Sequence, residues 1–185
     1  AFWGEGEDVS MNYKLIAAVM AFGLAGAAQA SYELMLVVDQ TNKVIRRVDP
    51  ITGASFGTFG GGGLLNMPSS VVANSDGTAW VLDNNGTANL GSGRIKKFNY
   101  STGTLLQTIA LSGTWGIAGP LAQLKKFGND FLVADGAITL GGTFIDRYNI
   151  NGGSAGFYGS TSPTDVTAGV ASAPDNSVYY RALGN

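Results

Sequence analysis

The chain has 185 residues, 45% of them hydrophobic and 13% charged, with 28 Gly, a formal net charge of −2 and neither His nor Cys. This is the composition of a globular chain able to bury a core. Without imidazole or thiol there is no Ser-His-Asp or Cys-His catalysis, no His-ligated metal, no iron–sulfur cluster and no disulfide, so any chemistry falls to carboxylates, Lys, Tyr, Ser, Thr or a hard metal held by oxygen.

Ala1 to Ser10 shares none of the later patterning and reads as an upstream segment outside any domain. Met11 to Ala30 has a Lys close behind its Met, an apolar run from Leu15 to Ala28 and an Ala28-Gln29-Ala30 end. A cationic start, an apolar middle and an A-x-A end predict a helical signal peptide cleaved after Ala30. The apolar run is shorter than the roughly 20 residues a membrane span requires. The expected location is therefore secreted, periplasmic or at the cell surface, with no membrane span in the mature chain. Residues 31–185 carry ten basic and ten acidic side chains. A neutral chain without a basic stripe is a poor partner for nucleic acid, whose binding rests on phosphate neutralisation.

The mature part repeats. Val44-Ile45-Arg46-Arg47-Val48-Asp49, Arg94-Ile95-Lys96-Lys97-Phe98-Asn99 and Phe144-Ile145-Asp146-Arg147-Tyr148-Asn149 lie 50 residues apart, and four residues beyond each Asp or Asn stands a Gly: Gly53, Gly103 and Gly153. Ahead of each copy an apolar run ends in Asp: Leu36 to Asp39, Trp80 to Asp83 and Leu132 to Asp135. Such runs are long enough for strands and too short for helices. Two further elements complete the unit. A small-residue strand enters an Asp-Gly or Pro-Asp-Asn turn at 70–77 and 168–176, with a looser copy at 121–130, and a last strand follows the Gly at 55–59, 104–111 and 155–158.

Four short strands repeated every 40 to 50 residues predict an all-β fold of propeller blades, each a four-stranded antiparallel sheet whose two faces are both covered by neighbours. Ile45, Ile95 and Ile145 fall on one face, and Val44, Val48, Phe98, Phe144 and Tyr148 on the other. The predicted blades lie near 34–60, 68–111, 115–160 and 164–185, an open or partial propeller of about three and a half blades, and the chain is expected to be a fragment of a longer one. Open blade edges would favour self-association.

The apolar strand ending in Asp, the Asn- or Gly-containing loop, the Ile-x-basic strand and the Thr52-Gly53 and Thr102-Gly103 turns resemble the NHL-type and related YVTN or SMP-30-like propellers. The resemblance covers residues 34 to 185. The third unit departs from it with Gly152-Gly153, and the fourth with Tyr180-Arg181 where the others end in Asp. What it implies is a fold whose members include ligand-binding scaffolds, lyases, lactonases and structural modules.

No convergent catalytic set is found. Asp39, Asp83 and Asp135 recur at one position, where they would either ring a channel, binding a ligand or Ca²⁺, or accept loop backbone N–H groups and fix a turn. Repetition favours the turn. Asp83, Asn84 and Asn85 collect oxygen donors and form the candidate metal site; no cofactor is implied beyond Ca²⁺ there. Arg47, Lys97 and Arg147 stand about 10 Å along from the repeated Asp at ~3.3 Å per residue, so they should cover a blade face or reach the next blade. Gly60 to Gly63 reads as a flexible connection, lacking the Lys and helix of a phosphate loop. Trp80, Trp115, Phe131 and Tyr179 read as packing aromatics. The expected role is an exported, non-catalytic module for a protein or carbohydrate ligand; the alternatives are a calcium-dependent, lactonase-like hydrolase or lyase and a structural subunit of an extracellular assembly.

Overall fold

Period-two alternation, β-branched residues and closely spaced glycine turns build the strands and hairpins described within residues 34–185, which form one compact unit. The computed structural model describes residues 34–84, 93–111, 122–134, 144–160, 166–173, 175 and 177–183. The predicted signal peptide, Asn85, Trp115 and Asp135 lie outside them. Among the described residues there is no helix.

Among the described residues four antiparallel sheets follow one another along the chain. The first holds β1 (Met35–Asp39), β2 (Val44–Val48) and β3 (Ser55–Phe59). The second holds β4 (Pro68–Ala73), β5 (Thr78–Asp83), β6 (Arg94–Asn99) and β7 (Leu105–Ala110), and the third β8 (Gln123–Phe127), β9 (Asp130–Ala134), β10 (Phe144–Tyr148) and β11 (Ser154–Ser160). The last pairs β12 (Val166–Ser172) with β13 (Val178–Leu183). The expected four strands are present in the second and third sheets. The first has counterparts of β5, β6 and β7 and, among the described residues, none of β4. Leading strands of successive sheets meet in chain order, β1 against β4, β4 against β8 and β8 against β12.

The middle of the second sheet, at β5 and β6, is covered on both faces. On one, Ala79, Val81 and Phe98 pack with Ile45, Phe59 and Leu65, the Phe59 and Phe98 rings lying 5.4 Å apart. On the other, Trp80, Leu82, Ile95 and Ile109 pack with Leu124, Phe131, Val133 and Tyr148 of the third sheet, and the Trp80 and Phe131 rings meet edge-on at 4.9 Å. This explains why β5 is buried at every position: a strand with neighbours on both sides reads as a continuous apolar run. Each large side chain so buried contributes about 1.5–3 kcal/mol. Tyr179 differs from the expectation. It is 62% exposed on the last sheet and packs no seam.

The Asp or Asn closing each repeat caps its own turn. Asp49 Oδ1 accepts the N–H groups of Ile51 and Thr52, Asn99 Oδ1 those of Ser101 and Thr102, and Asn149 Oδ1 those of Asn151 and Gly153. In the first two turns the glycine four residues on, Gly53 or Gly103, has φ of +72° or +76° and donates to the carbonyl of that capping residue. The third turn tightens by one residue, so the left-handed position passes to Gly152, at φ +84°, and Gly153 gives it up.

Gly152 also lies against the second sheet. A Cβ there would stand 2.4 Å from the Ala110 carbonyl oxygen and from Ile109 Cγ2, whereas one at Gly53 would meet nothing within 4 Å. Gly53→Ala should therefore cost only the left-handed penalty of about 1–2 kcal/mol, and Gly152→Ala about 2–4 kcal/mol, because the clash with backbone adds to it. Urea midpoints of the two variants check this; equal losses would contradict the close approach.

Candidate functional site

The repeated acids are built into their hairpins. Asp39 stands opposite Val44 across the β1–β2 pair, and Asp83 opposite Arg94 across β5–β6. Two residues along the partner strand, on the same face, lie Arg46 and Lys96, which makes each acid and base a diagonal pair. Arg46 Nε donates to Asp39 Oδ2 at 2.7 Å, and its Nη2 reaches the same oxygen. Lys96 Nζ donates to Asp83 Oδ2 at 2.6 Å. The third unit has Asp146 at this position, 8% exposed.

The remaining capacity of these carboxylates goes to loops. Asp39 accepts the backbone N–H of Asn42 at 2.9 Å and its side-chain amide at 2.8 Å. Asp83 Oδ1 accepts the N–H groups of Asn66 and Met67, both at 2.9 Å, and so ties the segment ahead of β4 to the end of β5. Lys96 also donates to the Leu64 carbonyl. Asp83 is 2% exposed and carries its counter-ion with it, so a metal ion at Oδ2 would first have to displace an ammonium. Asn84 is fully buried, and its side-chain amide has no partner among the described residues. No group of three or more acidic side chains that could hold a metal occurs among the described residues.

Arg47, Lys97 and Arg147, one position beyond, serve packing and seams. Arg47 Nη1 donates to the carbonyls of Tyr100 and Ser101 at 3.0 and 2.9 Å, linking the first sheet to the second. Lys97 lies 5.2 Å from the Trp80 ring centre, and Lys126 lies 4.6 Å from that of Phe131. Burial pushes the Lys126 ammonium down, opposed by the Asp130 carboxylate. Arg147 Nε donates to Asp130 Oδ2 at 2.6 Å. Sequence reasoning singled out these three cations and passed over Arg46 and Lys96; the missing signal was the diagonal register, which selects the same-face residue two along and not three.

Beside the Asp83–Lys96 pair opens a cleft of about 580 Å³ between the first two sheets. Its walls are the β1–β2 turn at Asn42 and Lys43, the loop from Gly61 to Asn66, and the β6–β7 face at Arg94, Lys96, Leu105 and Thr108. The Gly60–Gly63 connection, expected to be flexible, is a specific turn. Gly60, Gly62 and Gly63 have φ between +68° and +82°, Leu65 N–H donates to the Gly60 carbonyl at 3.1 Å, and a Cβ on Gly60 would overlap Leu65 at 2.4 Å.

No protein-family model matches the chain. No curated protein matches it either. Among solved structures it is similar to Kuenenia stuttgartiensis hydrazine synthase, a β-propeller-containing protein, at a TM-score of 0.56 and 14% identity. The likeness covers 80% of this chain and 40% of that one. At this identity it bears on the fold alone. An all-β fold of successive antiparallel sheets compatible with propeller blades is what the structure and the likeness share.

The Asp39 carboxyl is held at about 2, down from 3.8, first by the Asn42 side chain and backbone N–H and then by Arg46. Asp49, Asp76 and Asp175 are lowered by N–H or hydroxyl donors of their own turns. A depressed folded pKa gives stability that is complete above the unfolded value and lost as pH falls toward the folded one. The melting temperature should therefore drop between about pH 4 and pH 2, and in Asp39→Asn that drop should be shallower from a lower start at neutral pH. Thermal unfolding followed by circular dichroism reads both; an unchanged acid slope in Asp39→Asn would exclude this carboxyl as a contributor.

Proposed function

We propose that the protein is an exported β-propeller repeat module of the NHL-like kind, which binds a ligand or a partner protein and carries out no reaction itself. One observation carries the non-catalytic part. The two recurring acids among the described residues are consumed within the fold, Asp39 by Asn42 and Arg46, Asp83 by two backbone N–H groups and Lys96. A carboxylate saturated by three or four donors is a poor general base or metal ligand. The turns and the intersheet cleft, in contrast, present side chains to water.

The propeller reading is supported by sheets that pack face to face in chain order and by the likeness to a propeller-containing protein. Export is supported by the Met11–Ala30 segment, which would deliver the mature chain to the periplasm, the cell surface or the medium. There the ligand would be a protein or a carbohydrate, and unpaired strand edges would permit self-association.

Expression of the whole chain in a bacterial host, followed by mass analysis of the exported fraction and calorimetric titration with Ca²⁺, tests this reading. The expected product begins at Ser31 and takes up no Ca²⁺. Retention in the cytoplasm with residues 11–30 intact would remove the export claim. Saturable Ca²⁺ uptake with turnover of a lactone would favour a calcium-dependent hydrolase in its place.

A further inference from the structure

We infer that the cleft between the first two sheets is a binding site for a small organic oxyanion, a molecule bearing a carboxylate or a phosphate on an apolar body. This deepens the reading of the protein as a binding module and rests on it. Twelve residues line the cleft; three are cationic and none is acidic. In a mature chain whose charges balance, that concentration of one sign is local, and a concave wall focuses its field.

The three cations are not equivalent. Lys96 is anchored to Asp83 and to the Leu64 carbonyl, so its charge is compensated and it shapes the floor. Arg94 is exposed, and its guanidinium has no hydrogen-bond or ion-pair partner among the described residues. Lys43 sits in the turn at φ +57°, and among the described residues its ammonium meets the neutral Asn66 amide oxygen, at 3.4 Å, and no acidic side chain. Arg94 and Lys43 therefore face the cleft uncompensated. A planar guanidinium fork matches two oxygens of a carboxylate or phosphate, and an ammonium supplies a second point of charge.

The rest of the lining fits the same ligand. Gly61, Gly62 and Gly63 bring backbone to the cleft wall with no side chain in the way, and Leu64 and Leu105 provide an apolar surface for the ligand body. The volume lies within the range of small-molecule sites, about 300–1,000 Å³. No lysine neighbours the glycine run in sequence; the fold supplies the charge from the β1–β2 turn and from β6.

Calorimetric titration of the whole chain with phenyl phosphate, phenylacetate and benzyl alcohol tests the site. The expected result is saturable binding of at least one of the two anions at millimolar concentration or below, weakened by salt, and no comparable binding of the neutral alcohol. The tighter of the two anions assigns the oxyanion. The double variant Arg94→Gln, Lys43→Gln should bind at least roughly tenfold more weakly, while Lys125→Gln, on β8 and outside the cleft, should bind as the parent does, all with unchanged urea midpoints. No binding of either anion by the parent chain, equal binding of benzyl alcohol, or full affinity in the double variant would overturn the inference. These outcomes depend neither on export nor on Ca²⁺, so a failed cleft is distinguishable from a failed module.

Discussion

The central strand β5 of the second sheet has no solvent face of its own, and the rest of the structure depends on how it is covered. Phe98 is fully buried against Ile45 and Phe59 on one side, while Trp80 and Ile95 are buried against Phe131 and Tyr148 on the other. A single four-stranded sheet in water would leave one of these apolar sets exposed, which hydrophobic burial at about 25 cal/mol per Å² opposes. Successive sheets solve this by hiding each other. Because every seam needs an apolar middle strand with outward-turned residues on both faces, the sequence repeats Ile followed three places later by Val, Phe or Tyr.

With both faces of the middle strands covered, polar groups there and in the turns have to be satisfied locally. The diagonal pairs Asp39–Arg46 and Asp83–Lys96 close the strand ends, and the Asx caps at Asp49, Asn99 and Asn149 close the turns. Arg47 adds a link between sheets through two carbonyls of the next turn. Asp39, Asp83 and their basic partners are thus framework. What varies between units is the length and composition of the connections, and the Gly61–Asn66 loop forms one wall of the cleft.

Much of this was legible in the chain itself. Three isoleucines 50 residues apart marked the middle strands, and all three are buried; the Asp or Asn before a Gly marked the turns. The partners of the repeated acids were not legible, because pairing between strands is diagonal and two residues along, a geometry invisible until register is known. Nor was the shift from Gly153 to Gly152, since two adjacent glycines offer the left-handed position equally and only the shorter turn decides between them. The cleft was hidden for a related reason: Lys43, Gly61–Gly63 and Arg94 come from three separate segments, and no local pattern joins them. Tyr179 misled as an aromatic at a strand position, although its sheet carries it outward.

The central claim, that neighbouring sheets are joined by direct packing of their buried faces, is tested most directly by a double-mutant cycle across the second seam. Trp80→Leu, Phe131→Leu and the double variant, each measured by urea unfolding of the whole chain, give the coupling of two rings that meet at 4.9 Å. The account predicts a favourable coupling of about 0.5–1.5 kcal/mol, the range of edge-on aromatic pairs. Additive losses, within about 0.3 kcal/mol, would mean that the rings do not touch and that the two sheets are not packed as described.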